Sequence, residues 1–156
     1  MYDFPNAGDP SYLSGRPLPD ASGNLYGSSQ LGGSFGRGTF FKFDVSLGVL
    51  TVLHNFRGAP NDGDRGRGPL SVDREGRIYG VTVYGGLSIG GTGYGTVYRY
   101  TPSNGTYEHV YEFDRTTGRF PLGGLIQDAN GNLYGTTEQG GEGDDGLIFQ
   151  VLPVEK

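Results

Sequence analysis

The 156-residue sequence contains no cysteine and no tryptophan, one methionine at its first position and two lysines, Lys42 and Lys156. Without cysteine there is no disulfide, no thiolate metal site and no cysteine nucleophile, and the redox compartment stays open. Twelve Lys and Arg stand against seventeen Asp and Glu, a formal charge of -5. Phosphate recognition needs clustered cations, so no nucleic-acid partner is expected. No apolar run approaches the roughly 18 residues that cross a bilayer, so no membrane insertion is expected. Met1-Tyr2-Asp3-Phe4 lacks the basic and apolar regions of a signal peptide. Helical periodicity is missing as well. The longest stretch free of glycine and proline, Thr106 to Thr117, puts Tyr107, His109, Tyr111 and Phe113 on one face with period two.

What is abundant is glycine, 31 residues, with 9 prolines and 20 Phe and Tyr. So much glycine and proline without a period suggests disorder; here there is a period. Asp20-Ala-Ser-Gly23-Asn24-Leu25-Tyr26-Gly27 recurs as Asp73-Arg-Glu-Gly76-Arg77-Ile78-Tyr79-Gly80 and as Asp128-Ala-Asn-Gly131-Asn132-Leu133-Tyr134-Gly135, at offsets of 53 and 55. Each copy is followed by a glycine pair and then by Gly38-Thr-Phe-Phe41, Gly95-Thr-Val-Tyr98 or Gly146-Leu-Ile-Phe149. Two units end in Leu53-His-Asn-Phe56 and Val110-Tyr-Glu-Phe113.

Each unit reads as four short strands, A to D, with Leu18, Leu70 or Leu125 in strand A. The inner strands are apolar on both faces, as in Thr39-Phe40-Phe41-Lys42-Phe43. Four-stranded units of about 50 residues with both faces buried indicate an all-β propeller. The blades are expected at 16–56, 68–113 and 123–156. Strand C to the end of strand D takes 15 residues in the first two units; counted from Phe149, that end falls at 164, beyond Lys156. Met1-Tyr2-Asp3-Phe4 matches Val110-Tyr111-Glu112-Phe113, so residues 1–4 are expected to supply the missing strand, with Tyr2 and Phe4 alongside the strand C around Phe149 of a neighbouring chain. Propellers typically have 4–8 blades. Three blades therefore predict self-association, a homodimer of six blades in preference to a homotrimer of nine.

The series Asp-x-x-Gly-Asn-Leu-Tyr-Gly-Thr-Thr, Gly-Gly and Gly-Thr-Val-Phe, with a strand ending in His-x-Phe, resembles the GloVer tandem repeat of bacterial proteins. The resemblance covers nearly the whole chain. It implies a propeller and a secreted or cell-surface location, and it brings no catalytic residues.

The repeated Asp20, Asp73 and Asp128 have the spacing of turn residues, their carboxylates accepting hairpin N–H groups while Gly23, Gly76 and Gly131 supply a left-handed residue. Tyr26, Tyr79 and Tyr134 are expected in packing between blades. The only imidazoles are His54 and His109, both in D strands and out of register with each other. No serine elbow or cysteine is present, so the chain is read as non-catalytic, with no cofactor. Asn61-Asp62-Gly63-Asp64 and Glu142-Gly143-Asp144-Asp145 offer hard oxygen ligands without EF-hand spacing, which makes Asp62, Asp64, Asp144 and Asp145 weak calcium candidates. The expected role is a self-assembling scaffold; the alternative is a propeller that binds carbohydrate or another ligand through its channel-mouth loops. The D–A and B–C loops vary most among the units, and they place Tyr84, Tyr94, Asp62 and Arg65 nearest to any ligand.

Overall fold

The computed structural model describes residues 3–4, 8–88 and 91–151. All regular structure in it is β. Strands β1 (Ser11–Pro19), β2 (Leu25–Leu31), β3 (Thr39–Asp44) and β4 (Val49–Asn55) form one antiparallel sheet in chain order. A second repeats it with β5 (Gly63–Val72), β6 (Ile78–Gly85), β7 (Thr96–Thr101) and β8 (Thr106–Glu112). The third holds β9 (Arg119–Pro121), β10 (Ile126–Gln127), β11 (Leu133–Gln139) and β12 (Leu147–Val151). β12 lies along one edge of β11, and β9 and β10 both pair with the other. These two are halves of one interrupted strand A, and no strand D follows β12 among the described residues.

The repeat begins earlier than the sequence suggested. Strand A starts at Ser11, Gly63 and Arg119, so Arg65 lies in a strand rather than in a D–A loop, as do Tyr12 and Asp64. The glycines around them read as a turn, yet their backbone pairs with strand B. The register also shifts one assignment. Leu18 stands opposite Tyr26, as Ser71 does opposite Tyr79 and Ile126 opposite Tyr134, so Pro17 occupies the place of Leu70 and Leu125. A bulge interrupts strand A between Ser14 and Leu18 and between Arg67 and Ser71.

Each hairpin turn is built alike. Asp20 Oδ1 accepts the N–H groups of Ser22 and Asn24, both at 2.9 Å; Asp73 and Asp128 do the same for residues two and four ahead. The Tyr79 and Tyr134 hydroxyls donate to the second oxygen of Asp73 and Asp128, at 3.0 and 3.2 Å. Tyr79 thus braces its turn and also packs between the second and third sheets, whereas Tyr134, on the face of the third sheet that carries Ile126, joins neither apolar slab. Gly23, Gly76 and Gly131 have φ of 83°, 77° and 93°.

There is no single core. One apolar slab lies between the first two sheets and contains Tyr26, Phe40, Phe56, Leu70, Ile78, Tyr98 and Tyr100. The other lies between the second and third, with Tyr79, Val81, Val97, Phe113, Leu125, Leu133, Phe149 and Val151. Both faces of the middle sheet are therefore covered. The phenylalanine that ends each strand D packs on the strand C ring of the following sheet: Phe56 on Tyr98 at 5.6 Å and Phe113 on Phe149 at 4.8 Å between centroids. The sheets converge along their A strands. A Cβ on Gly15 would sit 2.2 Å from the Gly68 carbonyl oxygen, a separation that only glycine permits.

Candidate functional sites

Two clusters bring chemistry-bearing side chains together. The first is the joint between the first two sheets. His54 comes from β4, His109 from β8, and Asp62 from the connection between β4 and β5. Asp62 Oδ2 accepts from the Arg57 N–H and lies 2.9 Å from His54 Nε2; Oδ1 accepts from the Gly63 N–H at 2.7 Å and lies 3.1 Å from His109 Nε2. The His54 ring stacks on Tyr107, 3.6 Å between centroids and 7° from parallel. His109 Nδ1 faces Glu112 Oε1 at 3.3 Å.

Burial alone would raise the Asp62 carboxyl; hydrogen bonds from His109 and His54 outweigh it and hold the group well below the usual carboxylate range. Asp62 in turn raises His109 against the opposing effect of burial, and Glu112 adds to the rise. A carboxylate on each ring nitrogen favours the imidazolium. Burial pushes the Tyr107 hydroxyl well above its ordinary value, and that hydroxyl has no hydrogen-bond partner among the described residues.

A cavity of about 520 Å³ opens beside the cluster, lined among others by Arg57, Asn61, Tyr107 and Glu108. No serine, threonine or lysine lines it. The imidazoles could carry a proton, but the one hydroxyl among the described lining residues is the buried Tyr107 phenol. The sequence reading missed this cluster. His54 and His109 are 55 residues apart and out of register, and only the folded connection at Asp62 brings them to one carboxylate.

The second cluster runs along the start of the inner strands. The Arg65 guanidinium lies over the Tyr84 ring at 5.1 Å, and the Tyr84 ring meets the Phe120 ring edge-on at 5.4 Å. The Phe120 N–H donates to the Tyr94 carbonyl. Of the four residues expected nearest a ligand, Arg65 and Tyr84 therefore meet directly. The Tyr94 side chain packs against the slab between the second and third sheets, and the Asp62 carboxylate is turned to the histidines.

The acidic runs do not converge. Asp64 is paired with Arg37 at 2.5 Å, Asp144 with Arg119 at 2.5 Å, and Asp145 is exposed. Among the described residues no three His, Asp or Glu side chains form a group that could hold a metal ion. Of the closure residues, Tyr2 lies outside the described residues. Within the chain Phe4 does not meet Phe149. It packs edge-on against Phe41 at 6.3 Å, in the place that Phe56 takes on Tyr98 and Phe113 on Phe149.

Three repeated antiparallel sheets with apolar slabs between them define a propeller-like repeat protein, and comparison with solved structures agrees. The X-ray structure of a protein provisionally assigned as a gluconolactonase superposes with a TM-score of 0.61 at 15% identity, over 90% of this chain and 45% of that one. A gluconolactonase from Xanthomonas campestris matches with a TM-score of 0.46 at 15% identity, over 88% of this chain and 61% of that one. The chain thus spans about half the length of the first of these proteins. At such identity the likeness concerns the fold. The chain belongs to the Gloeobacter/Verrucomicrobia repeat family, whose pattern matches residues 1–156. Among curated proteins no sequence match was found.

Proposed function

We propose that the protein is a non-catalytic assembly module, three blades of a propeller that closes into a ring with a second copy of itself. One observation carries this reading. In strand C, Phe40, Val97 and Ile148 occupy the same position, opposite Ser28, Val81 and Thr136. Phe40 and Val97 are 0% exposed because the next sheet covers them, whereas Ile148 is 77% exposed. Ile126, on the same sheet, is also exposed. The third sheet thus presents the face that its two predecessors bury.

The opposite end supports the same reading. Phe4 sits on Phe41 as the last residue of a strand D sits on the following sheet. The strand it would end belongs beside a strand C such as β12. A second copy, placed with its Phe4 end against β12, supplies that strand and covers Ile148. The repetition of one contact in two complete joints supplies the template for the new joint. The His54–Asp62–His109 cluster fits this role as a rivet within the module, since both carboxylate oxygens are already engaged.

Light scattering on the purified chain tests the reading. Two chains of 16.7 kDa give 33.4 kDa. That mass at micromolar concentration is the expected result; a stable single-chain mass would overturn it, and a mass of three chains would replace six blades by nine.

A further inference from the structure

Among the described residues four non-glycine residues have a positive φ, and three of them share one repeat position: Tyr12 at 52°, Arg65 at 61° and Phe120 at 58°. The separations, 53 and 55 residues, are those of the Asp turns. The left-handed region is unfavourable for large side chains and free of that penalty for glycine. This chain has 31 glycines and uses many of them at left-handed positions. At this position all three units instead carry a planar group, two aromatic rings and a guanidinium.

Packing repays two of the three. Arg65 and Phe120 both rest on Tyr84. Tyr12 has no such contact among the described residues and is 73% exposed. Beside it lies a cavity of about 230 Å³ walled by Tyr12, Gln30, Leu31 and Arg65. Arg65 also retains donors, because its ion pair with Asp64 is long, 3.9 Å, while Asp64 is held closely by Arg37.

We infer that Tyr12, Arg65, Tyr84 and Phe120 form a carbohydrate-binding platform, with one sugar ring seated between Tyr12 and Arg65 beside Gln30. A saccharide ring has an apolar C–H face suited to an aromatic ring and a rim of hydroxyls suited to a guanidinium and an amide. A wholly apolar ligand would leave the Arg65 and Gln30 groups desolvated without partners. A nucleic acid is opposed by the net charge of -5. The inference does not depend on ring closure, since all four residues belong to one chain.

The test is a titration of the full chain, isotope-labelled for amide NMR, with a panel of soluble cello-, xylo- and chito-oligosaccharides at up to millimolar concentration. Saturable shifts confined to the amides around Tyr12, Gln30, Arg65, Tyr84 and Phe120 are expected for at least one of them. Tyr12→Gly is the diagnostic variant. It relieves the left-handed residue, so the melting temperature should hold or rise while affinity falls roughly tenfold, the worth of one ring contact. Arg65→Gln should weaken binding with the fold intact in the same spectra. No saturable shift with any sugar, shifts centred on the Asp20, Asp73 and Asp128 turns, or a Tyr12→Gly variant that binds as tightly as the parent would each overturn the platform. Light scattering on the same variants reads assembly separately.

Discussion

At the scale of single residues, the joint between the first two sheets depends on one carboxylate. Asp62 accepts two backbone N–H groups and faces two imidazoles. Asp62→Asn removes a charge and turns an acceptor into a donor, and should cost about 1–3 kcal/mol of stability in denaturant melts. The two pKa shifts define a pH window. His109 is raised in the fold, so its bond to Asp62 contributes in full below the ordinary value of 6.5 and fades as pH rises through the folded value. Asp62 is lowered, so its contribution is present above the ordinary 3.8 and is lost as acid takes the pH down through the folded value. The melting temperature should therefore be highest between these limits. In His109→Gln the fall on the alkaline side of the window should flatten, with the acid limb kept because His54 still faces Asp62. An alkaline limb unchanged in His109→Gln would show that His109 is not the titrating group.

At the scale of the element, glycine divides into positions that need space and positions that need only a left-handed backbone. Gly15 needs both, with φ of 81° and a carbonyl 2.2 Å from where its Cβ would be. Gly23, at the tip of the first Asp turn, has φ of 83° and nothing within 4 Å of that point. Gly15→Ala should part β1 from β5 and cost about 2–3 kcal/mol, whereas Gly23→Ala should cost about 1 kcal/mol. Urea midpoints at a constant slope give the order. Equal losses would mean that the inner strands yield more readily than their spacing implies. The same close approach explains why strand A is bulged in two sheets and interrupted in the third.

At the scale of the molecule, the exposed face of the third sheet sets the outcome. Burying an isoleucine side chain contributes about 2 kcal/mol. A carboxylate placed there would have to be desolvated without a partner. Ile148→Asp should therefore give single chains in light scattering, while its melting temperature stays near that of a diluted, dissociated parent, because both slabs within the chain are untouched. Phe4→Ala removes the matching contact at the other end and should weaken association in the same assay. Full association of Ile148→Asp would place the closing face elsewhere.

Much of this protein follows from its sequence alone. The repeat, the Asp-x-x-Gly turns and the two-faced apolar strands are local signals, because a turn is decided by a few adjacent residues and a strand by its own alternation. The tertiary structure decided what depends on register and on approach between sheets. Tyr12 and Arg65 lie within strands because strand A pairs with strand B through glycines that look like turns. His54 and His109 share Asp62 because two D strands of different sheets meet at one connection, a distance that sequence separation does not encode. The alignment of Tyr12, Arg65 and Phe120 was hidden because their side chains differ; only the left-handed backbone common to all three reveals one position.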